Sequence, residues 1–503
     1  MSTRDLAAGE LENVAERPTV PGGVAAVAFA AAVLAAVALP GQPVGVGVFL
    51  VGAMVTGAVA LGRPRERVTA EMAGLAVLGL ALSAMTVVRS AEWVLFFDLV
   101  FALWLATLVV AGGAEWRHLT RAPLVVVSRI HQAVPLMARS VGLGGRLGGA
   151  APAARGVVLA AVLLLVFGGL FLAADAAFAQ LARDWLLPSW DLGLLPARVV
   201  VFGFVLALAG ALTAAGNRFM ALGRPWLLPD PDPRRSGYPR KLGRTEWVIA
   251  LGVLDLLFAA FVIVQVAVLF GGRDHVLDTV GLTYAEYARQ GFFQLVAVAV
   301  LTLGVVAVSI RWTRTDRRAD RWVLQLLLGV LCVLTLVVLL SALRRLQLYE
   351  SAFGFTRLRV SVQATILWLG GLFVLVMLAG AMWRGRWLPR AAVVFTGVSL
   401  LVFSLIDPDA LIASKNVERF EKTGRVDLAY LTLLSADAVP ALSRLPVPLA
   451  RCALWPHADL VDEHESALAW NYGRQRARDS LGPGLPRSPG IACDQALRMG
   501  WRV

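Results

Sequence analysis

The sequence predicts an all-α fold: a polytopic transmembrane helical bundle of about 11 spans with a small helical C-terminal extramembrane domain. Three observations predict it. Apolar runs, most of them close to the roughly 20 residues that a helix needs to cross hydrocarbon, recur from residue 23 to residue 406. Short loops rich in arginine separate them. The composition, 58% hydrophobic and 16% charged, lies well away from the roughly 25% charged residues of a soluble domain.

The elements follow in chain order. The tail 1–22 carries Asp5, Glu10, Glu12 and Glu16 against Arg4 and Arg17. A cleavable signal needs a positive start, so the first apolar run reads as a retained helix and the tail as cytoplasmic. Spans are expected near 24–39, 44–61, 68–88, 93–111, 156–175, 197–216, 246–270, 291–310, 322–343, 360–383 and 391–406. Pro40-Gly41-Gln42-Pro43 and Gly271-Gly272 mark bends. The last run is short for a crossing and also suits a re-entrant segment. Within the bundle region 23–406, loop 113–155 is too long to be a mere connection. Its Leu124, Val127, Ile130, Val134 and Met137 fall at helical spacing with Arg129, Gln132 and Arg139 interleaved. That pattern suits a helix lying in the interface against anionic lipid, or one packed under the bundle.

Charge sets the direction. Arg63, Arg65 and Arg67, then Arg117 to Arg155, Arg218 to Arg244, Arg311 to Arg321, and Arg384 to Arg390 form basic loops, whereas the alternate loops are poor in Lys and Arg. The positive-inside rule puts the basic set in the cytoplasm, so the N-terminus is inside and, after an odd number of crossings, the tail 407–503 is outside. Loop 344–359 objects, with Arg344, Arg345, Arg357 and Arg359 on the outer side. The formal net charge of +13 does not imply nucleic acid. Residues 407–503 hold twelve basic and twelve acidic residues, so the excess sits in the membrane part, where it meets anionic headgroups. The expected partners are therefore the lipid bilayer, anionic headgroups at the cytoplasmic loops, and a partner membrane protein.

One region is distinctive: Asp255-Leu256-Leu257-Phe258, Gln265, Phe270-Gly271-Gly272 and Thr283-Tyr284-Ala285-Glu286-Tyr287-Ala288-Arg289-Gln290-Gly291-Phe292-Phe293. Phe355-Thr356-Arg357-Leu358-Arg359, Trp368, Asp407-Pro408-Asp409-Ala410-Leu411-Ile412-Ala413, Asn416-Val417-Glu418-Arg419, Tyr430-Leu431 and Leu434 to Leu442 continue it. Over about 245–445 the chain resembles a bacterial membrane family known only as a domain of unknown function, number forty-one seventy-three, with its neighbour forty-one fifty-three. It departs at Phe353-Gly354-Phe355 and at Ser414-Lys415. The resemblance implies a helical membrane fold and no chemistry.

On the inferred topology, segments 271–290, 344–359 and 407–442 share the outer side. Glu286, Arg289, Glu350, Arg357, Arg359, Asn416, Glu418 and Arg419 are the candidate binding residues there, as an outward site or as an ion-pair network clamping the tail onto the bundle. Within the hydrocarbon, Asp98, Asp255 and Gln265 are the polar candidates. A carboxylate costs roughly 2.5–3.5 kcal/mol to insert and is a functional hypothesis by default. Asp98 is placed to meet Arg89. Asp255 suits either a proton or ion site or an interhelix hydrogen bond, and no paired broken helices of a transporter are apparent.

In the tail, helices are expected from Pro408-Asp409, over 427–434 and 437–445, and as one longer helix over 459–478. Cys452 and Cys493 form a disulfide if the tail is outside, whereas Cys332 fills apolar space in a span. His457, Asp459, Asp462, His464 and Glu465 are the only metal-like cluster, without a metal-ligand spacing. No metal, cofactor or catalytic residue is expected, since no phosphate loop, dinucleotide fingerprint or kinase motif is present. Three functions remain: a non-enzymatic sensor, accessory or ligand-binding protein of the bacterial cell envelope using its outer face; a proton- or ion-coupled transporter using Asp255 and Asp98; or, by architecture alone, a lipid-linked transferase.

Overall fold

The computed structural model describes residues 22–62, 68–113, parts of 116–127, 194–221, 244–270, 292–313, 317–382, 385–461, 465–481 and 493. The helices are α1 (Gly22–Ala38), α2 (Val46–Leu61), α3 (Ala70–Val88), α4 (Glu92–Ala111), α5 (Leu195–Ala221), α6 (Arg244–Phe270), α7 (Phe292–Trp312), α8 (Arg318–Phe353), α9 (Arg357–Ala381), α10 (Leu388–Ile406), α11 (Pro408–Thr423), α12 (Leu428–Leu431), α13 (Val439–Leu442), α14 (Val447–Leu454) and α15 (Tyr472–Ser480). The fold is all-α. Among the described residues, six helices are long and apolar enough to cross a membrane, and four further apolar helices are shorter. The run expected to span at 156–175 lies outside the described residues, as do residues 1–21, most of loop 113–155, and Glu286 and Arg289.

The chain divides into two compact units. The first comprises residues 1–88, 92–227 and 464–472. Here α1 packs against α2 and α5, and α3 against α4. Ala25, Ala28, Ala32 and Ala35 form a buried stripe on α1, facing Val205 and Ala209 of α5. Small side chains let apolar helices approach closely, which is how they associate where lipid leaves no hydrophobic driving force between them. A tail segment belongs to this unit. The amides of Val46 and Gly47 donate to the carbonyls of Trp470 (3.1 Å) and Leu468 (2.7 Å), and Asn471 Nδ2 donates to the Thr86 carbonyl at 2.8 Å. Gly45 permits this approach, because a Cβ there would stand 2.2 Å from the Ala469 carbonyl oxygen. The contact corrects the expected helix over 459–478. With 465–471 forming a loop around a turn at 467–469 whose carbonyls meet other backbone, helix remains only as a 3-10 segment, Trp455–Val461, and as α15.

The second unit comprises residues 89–91, 228–463 and 473–503. Its long member is α8, with 36 residues, packed against α6, α7 and α9. Leu324, Leu328, Leu331, Val338, Leu339 and Leu346 of α8 meet Trp247, Leu251 and Phe258 of α6 and Ile366, Leu369 and Phe373 of α9. The three- and four-residue steps place these on one side of each helix. Because Leu346 and Glu350 continue the buried face of α8, the expected loop 344–359 is largely helical, and only 354–356 form a turn. After α10 the chain reverses at Asp407, where φ is +62°, into α11. The helices beyond it form a cap whose core joins Ile412, Val417, Phe420, Leu431, Leu442 and Leu449 to Val360 of α9. Cys452 and Cys493 form a disulfide within this unit, and Cys332 is free and buried in α8.

Candidate functional site: a buried polar clamp at one end of the second unit

Where α8 ends, α9 begins and α10 turns into α11, the second unit buries polar groups instead of apolar ones. The α8–α9 turn sets the geometry. Gly354 takes φ +81° and its amide returns to the Glu350 carbonyl at 2.8 Å. The turn is then held in both directions by Asn416 of α11: Phe355 N–H donates to Asn416 Oδ1 at 3.0 Å, and Asn416 Nδ2 donates to the Phe355 carbonyl at 2.8 Å.

The first residue of α9, Arg357, donates from Nε and Nη2 to the two oxygens of Asp409, at 2.9 and 2.6 Å. Such a fork fixes orientation as well as charge. The Arg357 amide donates to the Tyr430 hydroxyl at 2.5 Å, and the Ser435 amide donates to Asp409 at 2.8 Å. Asp409 is completely buried. Burial alone would raise its carboxyl, but the hydrogen bonds and charge of Arg357, with those of Ser435, hold it below the usual carboxylate range.

A second knot involves residues 89–91. Arg89 donates to the carbonyls of Ser404 (2.8 Å) and Leu405 (2.5 Å) and to Asp407 Oδ2 (2.8 Å). The next two amides, of Ser90 and Ala91, donate to Asp437 Oδ2 at 2.7 and 3.0 Å, and Asp437 N–H donates to Ser90 Oγ at 3.0 Å. Consecutive donors thus draw two buried carboxylates beside one guanidinium. Burial, and then the neighbouring Asp437 charge, push Asp407 up to about 7, against the pull of Arg89. Asp437 is raised too, chiefly by burial, and its Oδ1 accepts no hydrogen bond. Asp407 also caps α11 by accepting from the Ala410 amide at 3.3 Å, a role that Asp serves in the left-handed conformation more readily than most residues.

Of the residues expected on the outer face, Glu350, Arg357, Arg359, Asn416 and Arg419 gather around the 354–357 turn. Glu350 is buried, and its Oε1 has no hydrogen-bond partner. Arg359 donates from Nη1 to the Gly354 carbonyl and lies over the Tyr349 ring at 4.3 Å. Glu418 does not join them. It is exposed and pairs along α11 with Lys415 (3.0 Å) and Lys422 (2.6 Å), whose hydrogen bonds, Lys422 first, lower its carboxyl to about 2. Glu286 and Arg289 fall outside the described residues. Reasoning from sequence did not select Arg89, Asp407, Asp409, Tyr430 or Asp437 as site residues. The acids immediately after the last apolar run were the available signal, because a carboxylate at the mouth of a bundle needs a partner nearby.

Within the bundle, Asp255 of α6 is buried and neither carboxylate oxygen accepts a hydrogen bond. Asp98 of α4 is fully buried, and the side chain of Gln265 lies outside the described residues. The guanidinium of Arg89 donates to the Ser404 and Leu405 carbonyls and to Asp407. Among the described residues no three His, Cys, Asp or Glu side chains are placed to hold a metal, and Asp462 and His464 are not among those described. His457 is half-buried, and desolvation lowers its pKa.

No curated protein matches the chain, and no solved structure does. A family described as a domain of unknown function, DUF4153, matches residues 74–445. The match takes in the whole α8–α11 clamp, residues 89–91 and Asp437, and reaches further toward the N-terminus than the motifs alone suggested. With helices apolar enough to sit in a membrane and a family match over most of its length, the chain belongs to the DUF4153 family of unknown function.

Proposed function

We propose that the chain is an integral protein of the bacterial plasma membrane that acts without catalysis, as a sensor or accessory subunit working through an outward-facing cap. The observation that carries this reading is the Cys452–Cys493 disulfide in the cap, since such bonds persist in oxidising compartments. Two features support it. The basic loops alternate with poor ones in the sense that leaves the end of α10 outside. The polar groups at that end hold the cap in place, as a platform for a ligand or a partner membrane protein needs, and none forms a nucleophile–base pair. The cytoplasmic loops then face anionic headgroups.

The test is sidedness in intact cells, with an impermeant thiol reagent applied before and after an impermeant reductant. Labelling of Cys452 and Cys493 that appears only after reduction is expected, with buried Cys332 silent throughout. Labelling that requires lysis would put the cap in the cytoplasm and end the outward-facing reading.

A proton- or ion-coupled transporter is the second reading, and one observation favours it: the buried Asp255 carboxylate without a hydrogen-bond partner. A carboxylate in a span is costly unless protonated, paired or in use. Asp98 would be its companion residue. Loss of proton-coupled uptake in Asp255→Asn vesicles, with the cap still folded, would favour transport over the accessory role.

A further inference from the structure

Two guanidinium groups, of Arg359 and Arg419, flank the α8–α9 turn, Arg425 follows at the end of α11, and the one carboxylate that bears on them is the buried Glu350, which faces Arg359. Arg359 lies on one side of Gly354, with Nη1 on that residue's carbonyl. Arg419 lies on the other, its Nη1 3.7 Å from the point where a Gly354 side chain would begin. Arg419 also donates to the Ala352 carbonyl (2.7 Å) and, from Nη1, to the Arg425 carbonyl (3.4 Å), which brings the third arginine to the end of α11. Its Nε is buried with no acceptor. Among the described residues, none of the three forms an ion pair, because Glu418 is held by Lys415 and Lys422 and Glu421 meets Arg444. Burial, followed by repulsion from Arg425 and Arg359, lowers the Arg419 pKa, so an added anion would relieve both neighbours. Large apolar side chains stand exposed beside this charge: Leu348 and Phe353 at the end of α8, and Leu358 in the first turn of α9.

We propose that Arg359, Arg419 and Arg425 bind one phosphate-bearing anion at the rim of the bundle, with a phospholipid headgroup as its source. Guanidinium groups match phosphate oxygens in charge and geometry, and the exposed Leu348, Phe353 and Leu358 give acyl chains an apolar wall beside the headgroup. The site deepens the outward-facing reading above by naming what that rim holds.

The test uses the full chain in detergent micelles with equimolar phosphatidylglycerol and phosphatidylcholine, and native mass spectrometry to count retained lipid. The wild type is expected to keep phosphatidylglycerol about tenfold over phosphatidylcholine, one decade for one good charge-assisted contact. Arg425→Gln, at an exposed position whose side chain holds nothing else, should cut that preference about threefold. The triple variant Arg359→Gln, Arg419→Gln, Arg425→Gln should abolish it, and Arg451→Gln in α14 should leave it unchanged. Displacement of the lipid by millimolar inorganic phosphate would assign the site to free phosphate and overturn the lipid source. Equal retention of the two lipids by the wild type, or an unchanged preference in both Arg425→Gln and a triple variant with native helicity, would overturn the site itself. Micelles have no sides, so a cap found in the cytoplasm by thiol labelling would move the site to the inner leaflet without affecting this result.

Discussion

The two ends of the helical bundle in the second unit solve the same problem differently. At the end where α6 and α8 begin, a single carboxylate, Asp320, is buried, and its cationic partner stays near water. Arg244 pairs with Asp320 at 3.2 Å while more than half exposed, Asp320 also caps α8, and Gln325 reaches the Gly380 carbonyl at 3.1 Å. At the other end Asp407, Asp409, Asp437, Glu350 and Asn416 are all buried, and Arg89, Arg357 and a series of backbone amides meet them. A carboxylate taken from water needs a compensating partner, and a buried pair is strongly sensitive to losing one. The difference therefore says where the bundle is open and where it is closed, because only an end roofed by a cap can bury so many charges.

The largest effect is expected at the most buried pair. Asp409→Asn leaves Arg357 with half of its fork and should destabilise the cap by roughly 3 kcal/mol, read as a lower unfolding midpoint in micelles. Arg89→Gln comes next. It removes the guanidinium shared by two helix-end carbonyls and Asp407, and should cost about 2 kcal/mol. A smaller effect follows from pH. Asp407, near 7 in the folded protein against an ordinary value near 4, binds a proton more readily folded than unfolded, and Asp437 is shifted the same way. Their contribution is complete below the ordinary value and fades as pH rises through about 7. Asp409 acts in the opposite sense, contributing above its ordinary value and losing that contribution only in strong acid. The cap should thus be less stable at pH 8 than at pH 6, and Asp437→Asn should flatten that slope. The smallest effects belong to the open end and the surface. Arg244→Gln should cost at most about 1 kcal/mol, and Lys422→Gln should produce no measurable change. An Arg244→Gln loss as large as that of Asp409→Asn would erase the distinction between the two ends.

What the sequence disclosed divides along the same line. Span length and apolar content carry the membrane helices, because hydrocarbon imposes both locally, and the apolar runs that can be followed do form helices. The cap began where Pro408 and Asp409 announced it. Glu418 stands apart for a reason visible in the helix period: Lys415 and Lys422 stand three before and four after it and hold it along α11, while Asn416 is buried and Arg419 donates to the Ala352 carbonyl. The clamp itself was hidden by distance. Arg89 meets Asp407 across 318 residues of sequence and Arg357 meets Asp409 across 52, and no local spacing encodes either pair. The expected helix over 459–478 failed likewise, since the carbonyls that 468 and 470 offer are taken by residues 46 and 47.

Buried carboxylates hold the cap to the bundle. Amide hydrogen exchange of the full chain in micelles, wild type beside Asp409→Asn, tests this most directly. Protection over α11 to α14 should match that of α9 in the wild type and fall together in the variant, while the middle of α8 stays protected. Rapid exchange of α11 to α14 in the wild type, or an unchanged pattern in the variant, would contradict it.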